Sequence, residues 1–117
     1  MRYNPNGSLD TGFGDAGLVL TDFGPSGEAF ALREQPDGKL VAAGGSSGNF
    51  ALVRYNPDGG RDTSFGDGGL VRTDLSGSAQ ALVLQPDGKL VAAGSSPNFF
   101  GGWQRNLLLE WDNCEIP

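Results

Sequence analysis

The ten residues QPDGKLVAAG occupy positions 35–44 and occur again, letter for letter, at positions 85–94. In each copy Pro-Asp-Gly lies between two apolar runs, which is the pattern of a turn that joins two antiparallel strands. The run KLVAAG is apolar at consecutive positions, and consecutive residues of a strand point to opposite faces of a sheet. We therefore predict a strand that is covered on both faces, and its duplication predicts a repeated β-sheet unit.

The rest of the chain repeats with nearly the same period. RYNPNGSLDTGFGDAGLVLTD at 2–22 aligns with RYNPDGGRDTSFGDGGLVRTD at 54–74, an offset of 52 residues. ALREQPDGKLVAAG at 31–44 aligns with ALVLQPDGKLVAAG at 81–94, an offset of 50 residues. One unit is therefore about fifty residues long, and the sequence begins part-way through a unit.

The complete unit contains four short strand patterns, which we call A to D. They lie at 29–35, 39–44, 50–56 and 70–74. Strand D is the most polar of the four and suits the outer edge of a sheet. No stretch of the chain has the 3.6-residue apolar period of a helix, so we predict essentially no helix.

Four-stranded units of this length, repeated in tandem, are typical of propeller blades. We predict an all-β fold, a partial β-propeller of about two four-stranded antiparallel blades with up to nine strands. Residues 1–99 hold two repeats, arranged as a C–D half blade at 1–24, a full blade at 28–75 and an A–B half blade at 79–96.

The tail at 100–117 departs from the repeat. LLLEWDN at 107–113 is a weak echo of ALVRYNP at 51–57, with Trp111 at the place of Tyr55. The echo predicts one further strand C after an insertion. The alternative is that the repeat ends at Phe99 and that the tail is unrelated to it.

The run NFALVRYNPDGGRDTSFGDGGLVRTD at 49–74, together with ALVLQPDGKLVAAGSS at 81–96, resembles the delta-60 repeat family. That family is a bacterial β-propeller-like repeat of uncharacterised function, and the resemblance covers about residues 1–99. It implies a repeat scaffold in the extracellular space or on the cell surface. It transfers no catalytic residue, because the family has no established active site.

Composition limits the partners. The net charge of −6 and the pI of about 4.3 make the chain a poor candidate for binding nucleic acid. Its apolar runs are too short for membrane insertion, and the sequence carries no signal peptide. Because a blade buries its faces only by stacking on its neighbours, the expected partners are further propeller blades. A longer parent chain or homo-oligomerisation would supply them.

Two loops carry weak calcium signals. Asn4, Asn6 and Asp10, and equally Asn56, Asp58 and Asp62, are spaced like part of an oxygen-rich calcium loop. Each set supplies fewer than the six to eight oxygens that calcium takes, so a Pro-Asx-Gly turn is the simpler interpretation. A calcium-stabilised ligand-binding domain is nevertheless the alternative function, and calcium the only cofactor considered.

Motifs that point to catalysis lack their required context. GFGDAG at 12–17 fits a dinucleotide fingerprint but precedes a strand pattern instead of a helix. GGSSG at 44–48 fits a nucleophile elbow, but the chain has no histidine to act as its base. Asp62 and Asp67 would serve a carboxylate-based hydrolase or lyase only at a suitable separation. We therefore predict a non-enzymatic structural or interaction scaffold with no catalytic residues.

Overall fold

The computed structural model describes residues 1–22, 24, 27–97 and 103–111, and for 96–97 and 103–111 it describes the backbone alone. The described residues form seven strands and no helix, which confirms the all-β prediction. Accordingly, no described helix has the length and apolarity needed to cross a membrane. The strands are β1 (Glu28–Glu34), β2 (Leu40–Ser46), β3 (Asn49–Tyr55), β4 (Leu70–Ser76), β5 (Ser78–Leu84), β6 (Leu90–Pro97) and β7 (Trp103–Trp111).

The strands form two antiparallel sheets in chain order. Sheet 1 has the order β1-β2-β3-β4, and sheet 2 has the order β5-β6-β7. Strands β1 to β4 correspond to the predicted strands A to D, with ends shifted by one or two residues. The polar strand β4 lies at an edge of sheet 1, as its composition predicts. Sheet 1 is thus a four-stranded meander of the kind found in propeller blades.

The turn between β2 and β3 is shorter than the five residues, 45–49, that separate the predicted strands B and C. Ser46 pairs with Asn49, so only Ser47 and Gly48 connect the two strands. Both connecting residues have positive φ, 52° and 81°. Two positive φ values define the turn whose twist matches that of the flanking strands, and GGSSG is therefore strand and hairpin turn.

Strand β7 occupies the place of strand C in sheet 2. It pairs with β6 so that Leu90 lies opposite Trp111, just as Leu40 lies opposite Tyr55 in sheet 1. The register is the one that aligns 107–111 with 51–55. The rest of the tail, 100–102 and 112–117, lies outside the described residues.

The segments 2–4 and 18–22, expected as strands C and D of a half blade, are not strands. Tyr3 makes only an isolated bridge to Leu9, and Leu18 one to Asp15. In sheet 1, strand C pairs with strand B and strand D with strand C. A C–D ribbon without strand B beside it is a two-stranded ribbon, which is marginal in water. For this reason the described residues form seven strands, within the predicted upper limit of nine.

The core lies between the two sheets. Sheet 1 contributes Phe50, Leu52 and neighbouring residues, and sheet 2 contributes Ala79, Leu82, Leu90 and Ala92. Strand β2 is buried almost throughout, as predicted for a strand covered on both faces, and its neighbour β3 is buried to a similar extent. The backbones approach closely at one point, because a Cβ built on Gly45 would lie 2.9 Å from the Cβ of Ser78. The two repeats therefore pack face to face like neighbouring blades.

Candidate functional site

The four Pro-Asx-Gly turns share one geometry. In the two A–B turns, the N–H of Gln35 or Gln85 donates to the carbonyl of the lysine four residues on, at 2.7 and 2.8 Å. The turns after strand C repeat this, with the N–H of Asn4 and of Asn56 donating over 2.7 Å to residues 8 and 60. The glycine of each turn has a φ near 90°, which residues with a Cβ rarely adopt. These sequences therefore specify backbone turns.

A cluster of charged and aromatic side chains lies next to the turn at 57–59, which follows strand C. Asp62 Oδ2 accepts hydrogen bonds from Arg54 Nε at 2.9 Å and from Lys39 Nζ at 2.8 Å. The guanidinium carbon of Arg54 lies 4.5 Å from the centre of the Phe65 ring. We call the arginine, aspartate and phenylalanine the clasp. All three of its residues are buried, and it fixes the loop 61–69 against the end of β3.

The electrostatics of the clasp stabilise a buried carboxylate. Burial by itself would raise the pKa of Asp62, but the hydrogen bonds from Lys39 and Ser64 and the charge of Arg54 outweigh it and hold that pKa well below its usual value. Ser64 donates from both its N–H, at 3.1 Å, and its hydroxyl, at 2.6 Å, to Asp62 Oδ1. Asp62 is therefore ionised at every physiological pH.

The clasp occurs a second time, 52 residues earlier. Arg2 Nε donates to Asp10 Oδ2 over 2.8 Å, and its guanidinium carbon lies 4.5 Å from the centre of the Phe13 ring. The surrounding backbone bonds are repeated as well, since Asp10 N–H donates to Arg2 and Asp62 N–H to Arg54, both over 2.9 Å. The copies differ in exposure. The arginine and aspartate side chains are 42% and 32% exposed in the first clasp, and 6% and 7% in the second.

Four of the six residues proposed as calcium ligands have a side-chain oxygen engaged within these turns and clasps, namely Asn6, Asp10, Asp58 and Asp62. Asn6 Oδ1 accepts from the N–H and hydroxyl of Ser8, and Asp58 Oδ1 accepts from the N–H of Gly60. Asp10 and Asp62 are paired with arginine. Asn4 donates its side-chain amide to residues 8 and 9, and Asn56 closes its turn through its backbone. Within the described ranges, no three His, Cys, Asp or Glu side chains gather as a metal set.

The two carboxylates considered for catalysis have different surroundings. Asp62 is held by two cations, and a carboxyl with a depressed pKa is a poor general acid. Asp67 is exposed, and its backbone N–H closes a turn to Leu70. The sequence reasoning missed Arg54 and Lys39. The signal for Arg54 was present, because an arginine stands eight residues before the aspartate in both copies.

A groove of about 490 Å³ lies where the two A–B turns meet. It is lined by residues 35–37 of the first turn and 84–88 of the second. Asp37 and Asp87 line it, and the Oδ1 of each accepts a 3.0 Å hydrogen bond from the N–H of the lysine two residues on. Both repeats therefore contribute residues to this groove.

Comparison with known families identifies the repeat. The family model of a β-propeller domain of unknown function, DUF5122, matches residues 1–13, 35–65 and 85–109. These segments cover more than half of the chain, and the chain belongs to this family. The first and second matched segments end at the phenylalanines of the two clasps, Phe13 and Phe65. No curated protein and no solved structure matches the chain.

Proposed function

We propose that this chain is a non-enzymatic β-propeller module that acts as a structural and interaction scaffold. The observation that carries the proposal is the use of the repeated polar residues. The arginine, aspartate and turn residues common to both repeats are engaged with one another in clasps and turns. Side chains used in this way stabilise loops, and loops held on a rigid sheet are suited to contacting partners.

Asp62 supports the same proposal against an enzyme. It is a buried acid whose pKa is held well below its usual value, and acids with perturbed pKa values are candidates for catalysis. Its perturbation, however, favours the charged form through two cations and a serine, which is the effect of a structural ion pair. A catalytic acid requires the opposite shift.

The scaffold belongs, in this proposal, outside the cell. The support is the resemblance of residues 49–74 and 81–96 to delta-60 repeats, which occur in secreted and cell-surface proteins. The surface groove between the A–B turns is the proposed contact face, because both repeats contribute to it.

Protease treatment of intact cells that express the native protein tests the location. An antibody against this chain should lose its signal when protease is added outside, while a cytoplasmic marker stays intact. A signal that persists until the cells are lysed would contradict a surface or secreted location. The same antibody applied to culture medium separates the secreted form from the attached one.

A further inference from the structure

Equivalent residues of the two repeats differ sharply in exposure. Leu82 on β5 is 3% exposed and belongs to the core between the sheets, whereas its counterpart on β1, Leu32, is 62% exposed. Ala79 is fully buried and its counterpart Ala29 is exposed. Both strands carry a bulge at the same place, so the alanine and the leucine share one face in each. Strand β1 therefore presents to solvent the face that β5 packs against sheet 1.

The complementary surface lies on the far side of sheet 2. Within the chain, Ala31 packs against the core, and Arg33 Nε donates to the carbonyl of Leu82 over 2.8 Å. Their counterparts on β5, Ala81 and Val83, are exposed, Val83 by 51%. One molecule thus carries both halves of the inter-blade interface on opposite sides.

The two clasps point to the same contact. Asp62 Oδ2 accepts hydrogen bonds from both Lys39 Nζ and Arg54 Nε. Lys39 directly precedes β2, which is strand B of that unit. Asp10 Oδ2 accepts a hydrogen bond from Arg2 Nε, and this ion pair is partly exposed. The counterpart of Lys39 is Lys89, which directly precedes β6. A β6 strand placed as strand B of the unit at 1–22 would bring Lys89 to Asp10.

We propose that copies of this chain associate head to tail, with the β5–β6 hairpin of one copy packing on β1 of the next. The docked hairpin covers Ala29 and Leu32 with the face that carries Ala81 and Val83. It also completes the first clasp through Lys89. The occupant is a second copy, because its exposed face is the repeat equivalent of the surface that already packs in this position within the chain.

Docking in this register affects β7. In the completed unit Tyr3 would lie opposite Leu90, as Tyr55 lies opposite Leu40 in sheet 1. Strand β7 holds that place through Trp111. Residues 2–4 of the second copy and β7 therefore compete for one edge of β6, and association releases β7. Both tryptophans of the chain are on β7, so their emission reports this release.

This inference deepens the proposed scaffold function by naming its partner, and it rests on that function. The inference and the proposed function can be contradicted independently, because different experiments test them. The oligomeric state of the purified chain decides the inference, whereas protease accessibility on cells decides the surface location.

Light scattering after size exclusion, from about 10 µM to about 1 mM chain, measures the association. The wild type should form oligomers as concentration rises, with tryptophan emission changing in step. Leu32→Asp should weaken association roughly 10- to 100-fold, because a leucine that docking buries becomes a charge. Leu20→Asp is the matched control, since Leu20 is 85% exposed and its repeat counterpart Arg72 is exposed in a complete sheet.

A mixing experiment distinguishes head-to-tail contact from a symmetric one. Val83→Asp should weaken association to a similar degree, and it provides a second variant if Leu32→Asp does not fold. Leu32→Asp keeps the β5 face intact, and Val83→Asp keeps the β1 face intact. An equimolar mixture of the two variants should therefore form heterodimers, whereas each variant alone should stay monomeric. Four results would overturn the proposal: a chain that stays monomeric at about 1 mM, equal weakening by Leu20→Asp, no heterodimers on mixing, or association without a change in emission.

Discussion

Replacing Asp62 by asparagine tests the structural role of the clasp. Asparagine keeps the size of the side chain and removes its charge. Arg54 is 5% exposed, so the substitution removes the carboxylate that pairs with a buried guanidinium. It also replaces one of the two acceptor oxygens with an amide donor, so the side chain cannot accept from both Lys39 Nζ and Ser64 as the carboxylate does. Breaking a buried ion pair from one side costs about 3–5 kcal/mol.

This loss is large against the total stability of a small domain, which is roughly 5–15 kcal/mol. The free energy of unfolding from urea titrations, followed by circular dichroism, should fall by the same amount. A loss of this size corresponds to a decrease in Tm of roughly 10–20 °C. The denaturant slope should not change if the substitution acts on the folded state alone.

Asp10→Asn is the matched control, because the first clasp has the same geometry at the surface. Its arginine and aspartate side chains are 42% and 32% exposed, and exposed pairs contribute only about 0–1 kcal/mol. The comparison is made at low concentration, where self-association does not contribute. Equal losses in the two variants, or a loss below about 1 kcal/mol for Asp62→Asn, would refute the reasoning from burial.

Three further predictions follow from the same contacts. The folded-state pKa of Asp62 is depressed, so its carboxylate stabilises the fold above the unfolded-state pKa near 3.8, and this contribution is lost as pH falls further. Urea titrations at several pH values should therefore show the wild type losing stability more steeply than Asp62→Asn below about pH 4. Millimolar calcium should leave Tm within about 1 °C in a thermal melt, whereas a saturating rise would establish the calcium site. Gly44→Ala should destabilise by about 1–3 kcal/mol, because the new Cβ would overlap the carbonyl oxygen of Glu28; Gly12→Ala, whose Cβ would meet Asp10 Oδ1 at 3.4 Å, should stay within about 0.5 kcal/mol, and equal effects would contradict the close approach.

Much of the fold was readable from repetition. The buried strand in KLVAAG and the polar strand in LVRTD were predicted from the type of residue at each position, and the structure places them inside and at the edge of sheet 1. Sequence could give these elements because alternation along a strand is a local property. The turn chemistry of Pro-Asx-Gly was local for the same reason.

The missing strands at 2–4 and 18–22 show the limit of local patterns. These segments have nearly the sequence of 54–56 and 70–74, yet only the second copy forms strands. Tyr55 lies opposite Leu40 of β2, whereas Tyr3 bridges only to Leu9. A strand depends on the partner beside it, and a segment's own sequence does not specify whether that partner is present.

The sequence pointed to the residues of the candidate site but not to the contacts that they make. Asp10 and Asp62 stood out as oxygen ligands, but their partners Arg2 and Arg54 were not considered with them. The lysine that binds Asp62 of the second clasp directly precedes β2 and lies 23 residues away in the chain. Contacts between strands depend on sheet register, which the repeat alone does not give.

The central claim is that the two repeats stack as neighbouring blades. The most direct measurement is a nuclear Overhauser effect between the α-protons of Gly45 and the β-protons of Ser78. A Cβ on Gly45 would lie 2.9 Å from the Ser78 Cβ, so these protons of β2 and β5 are in contact. We predict a strong cross-peak in the folded protein. A folded protein with both residues assigned and no such cross-peak would contradict the stacking of the blades.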